Sequence, residues 1–180
     1  MASTTAVLSS PILHALRARD PTLSLPVLVP NTQGLTSLLA LLNTPSPLSS
    51  APAPPPITDE IAVFISASEG FSRANLNCSI AQSLERLEPV VKTALEIGLK
   101  VRGYVSVVVG CPFEGRVEPG KVREVAKALV EMGCYEISLG DTIGVGTPES
   151  WREMVHAVGK SVNVSLMAVS SPLFCLDSLF

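Results

Sequence analysis

The segment "CYEISLGDTIGVGTP", residues 134–148, places an acid, a hydroxyl and three glycines directly after a short apolar run. Asp141 and Thr142 begin the turn that follows this run. In parallel α/β folds such turns lie at the carboxyl ends of strands, where ligands bind. Asp141 could act there as a base, orient a metal ligand or bind a substrate hydroxyl. An aspartate that caps its own turn is an equal alternative.

The glycines of the same segment suggest an anion site but not a nucleotide fold. Gly144, Gly146 and Thr147 open a helix, whose positive end could hold an anion. The G-x-G-x-x-G pattern is incomplete because Glu149 stands in the third glycine position, and no G-K-[ST] follows. The spacing therefore disfavours dinucleotide or P-loop binding.

Cysteine and histidine spacing predicts no metal site. Cys111, in "VVVGCPFEG", follows a strand-like run and could be a nucleophile, although a lone cysteine there is more often a packed small residue. His14 and His156 have neither H-x-H nor H-E-x-x-H spacing. The four cysteines stand far apart without a C-x-x-C pair, which indicates a reducing compartment.

Five short runs rich in β-branched residues could position these side chains, and they occupy residues 26–30, 61–66, 101–109, 135–139 and 162–169. Helical patterns separate most of them. Spacings of about 30 to 40 residues between successive runs are typical of βαβ units. The sequence therefore predicts a parallel α/β sheet.

Three helices have clear start and stop signals. Ser79 and Gln82 form a capping box for a helix that ends at Gly98, with a kink expected at Pro89. A second helix starts at Pro119 and stops at Gly133. The third has Thr147 as its N-cap and Pro148 as its first residue.

Two segments stand apart from the repeating units. Residues 44–56, "TPSPLSSAPAPPP", hold six prolines, which predicts an inserted surface loop in preference to an SH3-type ligand. The first twenty residues are rich in Ser and Thr, and both arginines precede the first acid, Asp20. Composition alone leaves a mitochondrial transit peptide and an amphipathic helix equally open.

Composition excludes two classes of partner. The net charge of −3, with scattered Lys and Arg, provides no basic stripe for nucleic acid. No apolar run approaches the roughly 18 to 20 residues that a membrane helix needs. With 180 residues, 47% of them hydrophobic, the chain is long enough for one domain with a substantial core.

Four motifs, "PVLVPN", "NLNCSI", "VRGYVSVVVGCPFEG" and "MGCYEISLGDTIGVGTP", occur in an order that closely resembles 3-hydroxy-3-methylglutaryl-CoA (HMG-CoA) lyase. The resemblance runs from about residue 25 to residue 169. It implies a partial (β/α)8 TIM-type barrel of about five parallel units, with residues 1–24 as a helical segment and 170–180 as a divergent tail. It favours the helix over the transit peptide.

The family's activity is implied by the same resemblance. It is the metal-dependent cleavage of HMG-CoA, an acyl-CoA, to acetyl-CoA and acetoacetate, a step of leucine catabolism and ketone body formation, with Mg2+ or Mn2+ as cofactor. Asp141 matches a catalytic aspartate near the metal and substrate. Thr142, Tyr104 and Arg102 are expected to bind substrate, in or just beneath the site. The family's compartment is mitochondrial or cytoplasmic, and a homo-oligomer is open.

The family's other site motifs have no counterpart here. "GPRDG", with a catalytic arginine and a metal-binding aspartate, "HCHD", with two metal-binding histidines, and "GGCPYA", with a reactive cysteine, are all missing. We therefore expect no metal ligands within this chain and no activity from it alone. The alternatives are a non-catalytic fragment or mispredicted gene product, and another aldolase-type barrel such as an isopropylmalate or homocitrate synthase relative.

Overall fold

The computed structural model describes residues 19–20, 23–42 and 58–171, and its centre is a five-stranded parallel sheet. The strands lie in the order β1-β2-β3-β6-β7, with helices between them along the chain. The sheet strands are β1 (Val27–Leu28), β2 (Glu60–Ser66), β3 (Lys100–Ser106), β6 (Glu136–Gly140) and β7 (Met167–Ser170). The predicted parallel α/β sheet is confirmed.

Five helices that lie wholly within the part of the chain that the structure describes accompany the sheet, and α1 and α2 were not among the three predicted. The helices are α1 (Thr32–Leu42), α2 (Glu69–Leu76), α3 (Ile80–Glu96), α4 (Pro119–Met132) and α5 (Pro148–Gly159). None of the described helices is long and apolar enough to cross a membrane.

Helix ends form at the predicted residues or within two positions of them. The capping box of α3 is present. The backbone N–H of Gln82 donates to the Ser79 hydroxyl, and the backbone N–H of Ser79 donates to Oε1 of Gln82. The helix continues through Pro89 to Glu96. Gly133 ends α4 in the left-handed region at φ 106°, a conformation that costs glycine little.

Alternating residues of β3 face two different environments, as the two-residue period of a strand requires. Val101, Gly103 and Val105 are buried toward the helices, and a Cβ on Gly103 would lie 2.9 Å from Leu129 of α4. The other face of β3 carries the half-buried Arg102, Tyr104 and Ser106. The helix side of the sheet therefore forms the main core, and polar residues line the opposite face.

Residues 101–109 were predicted as one strand, but only the part up to Ser106 belongs to the sheet. Strand β3 ends at Ser106, and the buried Val107 adopts a left-handed backbone with φ 57°. The chain then enters an antiparallel hairpin, in which β4 (Gly110–Cys111) pairs with β5 (Gly115–Arg116). The apolar run extends past Ser106 because Val107, Val108 and Val109 are buried, although they lie outside the sheet.

The last predicted strand, 162–169, is also shorter than its apolar pattern. Residues Val164–Leu166 form a 3-10 turn, which Asn163 caps by accepting the Ser165 N–H at 3.0 Å, and β7 starts at Met167. This cap competes with strand pairing, because it satisfies the backbone locally.

Three predicted segments lie wholly or largely outside the described residues. They are the N-terminal helical segment 1–24, the proline-rich insert 44–56 and the tail 170–180.

Cys134 makes the stability of the fold sensitive to alkaline pH. Burial raises the pKa of its thiol from 9.0 to about 12. The unfolded chain therefore loses this proton near pH 9, while the folded chain keeps it until about pH 12. The free energy of unfolding should fall as pH rises through this window, by at most about 1.4 kcal/mol per pH unit.

The measurement is urea unfolding at pH 8, 10 and 11, for the wild type and for Cys134→Ala. The variant should show the shallower decline, because its unfolded state gains no thiolate. Tyr135 titrates in both proteins and so cancels from the comparison. Equal slopes in the two proteins would contradict the assignment.

Candidate functional site

The candidate site lies at the carboxyl edge of the sheet, where strands β2, β3, β6 and β7 end. Asp141 directly follows β6, and its backbone N–H donates to the Ser170 carbonyl of β7 at 2.9 Å. Thr142 comes next. The structure therefore brings these two predicted site residues to the edge where parallel α/β folds bind ligands.

The Asp141 carboxylate organises the loop that follows it, residues 141–147, hereafter the Asp141 loop. Asp141 is 2% exposed. Its Oδ1 accepts the N–H groups of Gly144 at 3.1 Å and Val145 at 3.2 Å, and its Oδ2 accepts that of Gly146 at 2.8 Å. An aspartate that caps its own turn makes contacts of this kind. They direct three backbone N–H groups at one buried carboxylate.

Gly146 allows this close packing. A Cβ at residue 146 would lie 2.8 Å from Asp141 Oδ2 and 2.4 Å from Trp151 Nε1. Both distances are too short for a real contact, so no larger residue fits unless the loop or Trp151 moves.

Thr142 connects the end of β6 to the end of β3. Its hydroxyl oxygen accepts the Val107 N–H at 2.9 Å. A β-branched residue in the left-handed region is strained, by about 1 to 3 kcal/mol, and Val107 holds that conformation at φ 57°. The observed contact of Thr142 is therefore with a strained strand end, and its expected contact with substrate stays a prediction.

Tyr104 lies inside strand β3, two residues before its end, in register with Phe64 of β2 and Ser138 of β6. It occupies the face of the sheet opposite to α4. Tyr104 thus lies beneath the carboxyl edge, and its role in binding substrate stays a prediction.

Arg102 lies near the amino end of β3, so the structure does not bring it together with Asp141 and Thr142. Its Nε lies 3.0 Å from Glu60 Oε1 and 3.4 Å from Glu136 Oε1, and its Nη2 donates to the Tyr135 hydroxyl at 2.8 Å. The Tyr135 hydroxyl donates to Glu60 Oε1 at 2.6 Å. Arg102 therefore belongs to a polar cluster in the amino-terminal half of the sheet, two residues before Tyr104 on the same face of β3.

The protonation of this cluster follows from its hydrogen bonds and burial. The hydrogen bond to Tyr135 is the largest cause that raises the pKa of Arg102, and a hydrogen bond to Tyr104 and the charge of Glu60 add to it. Desolvation is the main cause that raises the pKa of Tyr135. Glu60, which is 1% exposed, was missed by the sequence reasoning. Its signal was an acid at the head of the apolar run "EIAVFIS".

A cavity of about 470 Å3 lies beside the Asp141 loop, and the sequence reasoning missed it as well. The β4–β5 hairpin forms part of its wall, together with residues of the loop and the start of α5. Cys111, the suggested nucleophile, is 3% exposed and accepts a hydrogen bond from Ser68. The residues that line the cavity therefore come from two segments, 109–116 and 143–153, that lie apart in the sequence.

The described residues do not by themselves fit a divalent cation. Within ranges 19–20, 23–42 and 58–171, no group of three or more His, Cys, Asp or Glu side chains could hold a metal ion. The two oxygens of Asp141 already accept three backbone N–H groups. A hard cation such as Mg2+ requires several preorganised oxygen ligands.

We therefore predict that the chain binds Mn2+ more weakly than about 1 mM, because one engaged carboxylate cannot replace a ligand set. Isothermal titration of the full chain with Mn2+ tests this. Asp141→Ala is the matched control. Micromolar binding by the wild type that Asp141→Ala abolishes would contradict the prediction.

A parallel βα sheet with helices packed on one face, polar residues on the other and its candidate residues at the carboxyl edge is the arrangement found in α/β barrels. Residues 53–171 match the HMGL-like family, and the chain belongs to that family.

Named relatives agree with this assignment. The chain is 49% identical over 151 residues to the cytoplasmic 3-hydroxy-3-methylglutaryl-CoA lyase of Danio rerio, a match that covers 84% of this chain and 41% of the relative. It is 48% identical over 149 residues to the mitochondrial hydroxymethylglutaryl-CoA lyase of Bos taurus, covering 83% and 41%. The chain thus spans about two fifths of the length of these relatives.

Solved structures confirm the fold. The HMG-CoA lyase of Brucella melitensis superposes with a TM-score of 0.79 at 42% identity, over 95% of this chain and 53% of that chain. The prediction of a partial (β/α)8 barrel is therefore confirmed, and the five parallel strands described above are its observed part.

Proposed function

We propose that this chain carries the central part of an HMG-CoA lyase-type active site and serves carbon–carbon cleavage of HMG-CoA to acetyl-CoA and acetoacetate. The observation that carries the proposal is the position of Asp141 and Thr142 directly after β6, at the carboxyl edge of a sheet that superposes on an HMG-CoA lyase with a TM-score of 0.79. The names of the relatives supply the acyl-CoA substrate.

The chain's own residues would shape and orient this site. Asp141 keeps the loop amides in one arrangement, and Thr142 fixes the neighbouring end of β3 through Val107. Tyr104 lies beneath the carboxyl edge of the sheet, two residues before the end of β3. Mg2+ or Mn2+ is the cofactor that the family resemblance implies, and because the described residues do not fit it, we assign it no step here. The relatives include cytoplasmic and mitochondrial enzymes, and the proposed function is compatible with either compartment. It is also compatible with a homo-oligomer.

A non-catalytic role is the second candidate. It is favoured by the Asp141 oxygens, which are engaged with the loop, and by the lack of a metal-ligand group among the described residues. In this case Asp141 would serve the fold of the loop alone.

A chimaera separates the two candidates. Residues 25–169 of this chain would replace the aligned segment of the Brucella melitensis lyase, and HMG-CoA cleavage would be assayed for the chimaera and for this chain alone. The proposed function predicts an active chimaera and no measurable cleavage by the chain alone. An inactive but folded chimaera would favour the non-catalytic role, and activity of the chain alone would overturn our expectation that it needs the missing motifs.

A further inference from the structure

We propose that the β4–β5 hairpin, residues 110–116, is a strap that holds the Asp141 loop in position, with Gly110 and Glu114 as its positioning residues. The hairpin touches α2 with its tip and the Asp141 loop and α5 with its base. The inference rests on these contacts and does not require the lyase function.

The tip of the hairpin is anchored on the start of α2. The Glu114 carboxylate accepts the N–H of Gly70, the second residue of that helix. A negative charge is stabilised at a helix N-terminus, where amides lack helical partners. The rings of Phe113 and Phe71 pack beside this contact, with centroids 6.2 Å apart. The anchor therefore combines a charged and an apolar contact.

The first strand of the hairpin is held by hydrogen bonds to the sulfur of Cys111. The Ser68 hydroxyl donates to Cys111 Sγ at 3.0 Å, and the Phe113 N–H donates to the same sulfur at 3.4 Å. Ser68 and Cys111 are 0% and 3% exposed. At 3% exposure the Cys111 thiol is shielded from reagents, and lifting of the strap should expose it.

The base of the hairpin bears on the Asp141 loop. A Cβ on Gly110 would lie 2.5 Å from Cγ2 of Val145, so the missing side chain lets the loop pack against the hairpin backbone. The Val145 N–H is one of the three that bind Asp141. Arg116 adds an ion pair to Glu153 of α5. A displacement of the hairpin would therefore reach the Asp141 hydrogen bonds through Val145.

The cavity of about 470 Å3 lies between these parts. Its lining includes Gly110, Cys111, Gly115 and Arg116 from the hairpin, and Ile143, Val145, Thr147, Glu149, Ser150 and Glu153 from the loop and α5. The position of the strap thus sets both the width of the cavity and the order of the loop.

The first test is native-state hydrogen exchange of the Gly144, Val145 and Gly146 amides in the full chain. Gly110→Ala should speed their exchange by about tenfold, because the new methyl displaces Val145. Adding Val145→Ala should restore slow exchange, since the methyl would then lie 3.9 Å from the remaining Cβ of residue 145, an ordinary contact. Unchanged exchange in Gly110→Ala, or no recovery in the double variant, would overturn the proposal.

The second test is the rate of thiol modification, followed by mass spectrometry of individual cysteines, with Cys175 replaced by serine. Glu114→Ala should speed modification of Cys111 by about tenfold, because a hydrogen bond to a charged group is lost. Glu114→Gln should stay near the wild-type rate, because its amide oxygen still accepts from Gly70.

The buried Cys78 and Cys134 are internal controls. The proposal requires that their rates stay constant while that of Cys111 rises. If all three rates rise together, Glu114 stabilises the whole fold and does not position a strap. If none rises, the hairpin is not held by Glu114, and the proposal fails.

Discussion

Asp141→Asn is expected to lower kcat of the chimaera by about a hundredfold. The amide group would place an N–H where Oδ2 now accepts the Gly146 N–H at 2.8 Å, so two donors would face each other and the negative charge would be lost. Hydrogen bonds to a charged group contribute about 1.5 to 3 kcal/mol each, and 1.4 kcal/mol corresponds to a factor of ten. The loop should open, and the site with it.

The assay is steady-state cleavage of HMG-CoA by the chimaera, with hydrogen exchange of the Gly144 and Gly146 amides measured in parallel. Asp59→Asn is the matched control, since Asp59 is the same residue type next to the amino end of β2, ion-paired with Lys100 at 3.8 Å. The control should keep kcat within about twofold, as surface pairs contribute little. An Asp141→Asn chimaera with normal kcat would remove Asp141 from the site.

The second large effect is expected from replacing Arg102. The replacement should lower the stability of the fold and leave substrate binding unchanged. Arg102→Met should lower the free energy of unfolding by about 3 kcal/mol, because it leaves the buried Glu60 carboxylate without its guanidinium partner. Glu60 is 1% exposed, and its Oε1 lies 3.0 Å from Arg102 Nε. Urea unfolding of the full chain measures the loss.

Glu60→Gln combined with Arg102→Met should recover part of this loss, since the double change removes both charges. The KM of the chimaera for HMG-CoA should be the same with Arg102 or Met, provided that unfolding is avoided at the assay temperature. A raised KM with unchanged stability would instead support the substrate-binding role predicted from the family resemblance.

Local sequence patterns were sufficient for most of the secondary structure. The capping box of Ser79 and Gln82 and the stop at Gly133 are decided by residues within a few positions of each other. The same holds for the β-branched runs, because the preference for an extended backbone lies in the residues themselves. The sequence alone therefore determined the alternation of strands and helices, and hence the parallel sheet.

The position of Asp141 at a strand end was likewise determined by the sequence, because it directly follows the run "YEISL". Its two candidate roles could not be separated in this way. The structure shows the turn-capping contacts with Gly144, Val145 and Gly146. Whether the carboxylate also acts on substrate is the subject of the chimaera experiment.

Only the tertiary structure decided which distant residues meet. Thr142 supports Val107 across 35 positions of sequence, and Tyr135 reaches Glu60 across 75. These contacts depend on the register of neighbouring strands, which pairs Arg102 with both Ala62 and Glu136. Local patterns carry no information on this pairing, because register is set by the packing of whole strands. The contacts of Arg102 with Glu60, Glu136 and Tyr135 therefore follow only from the fold. Its role in substrate binding, which the family resemblance implies, stays a prediction.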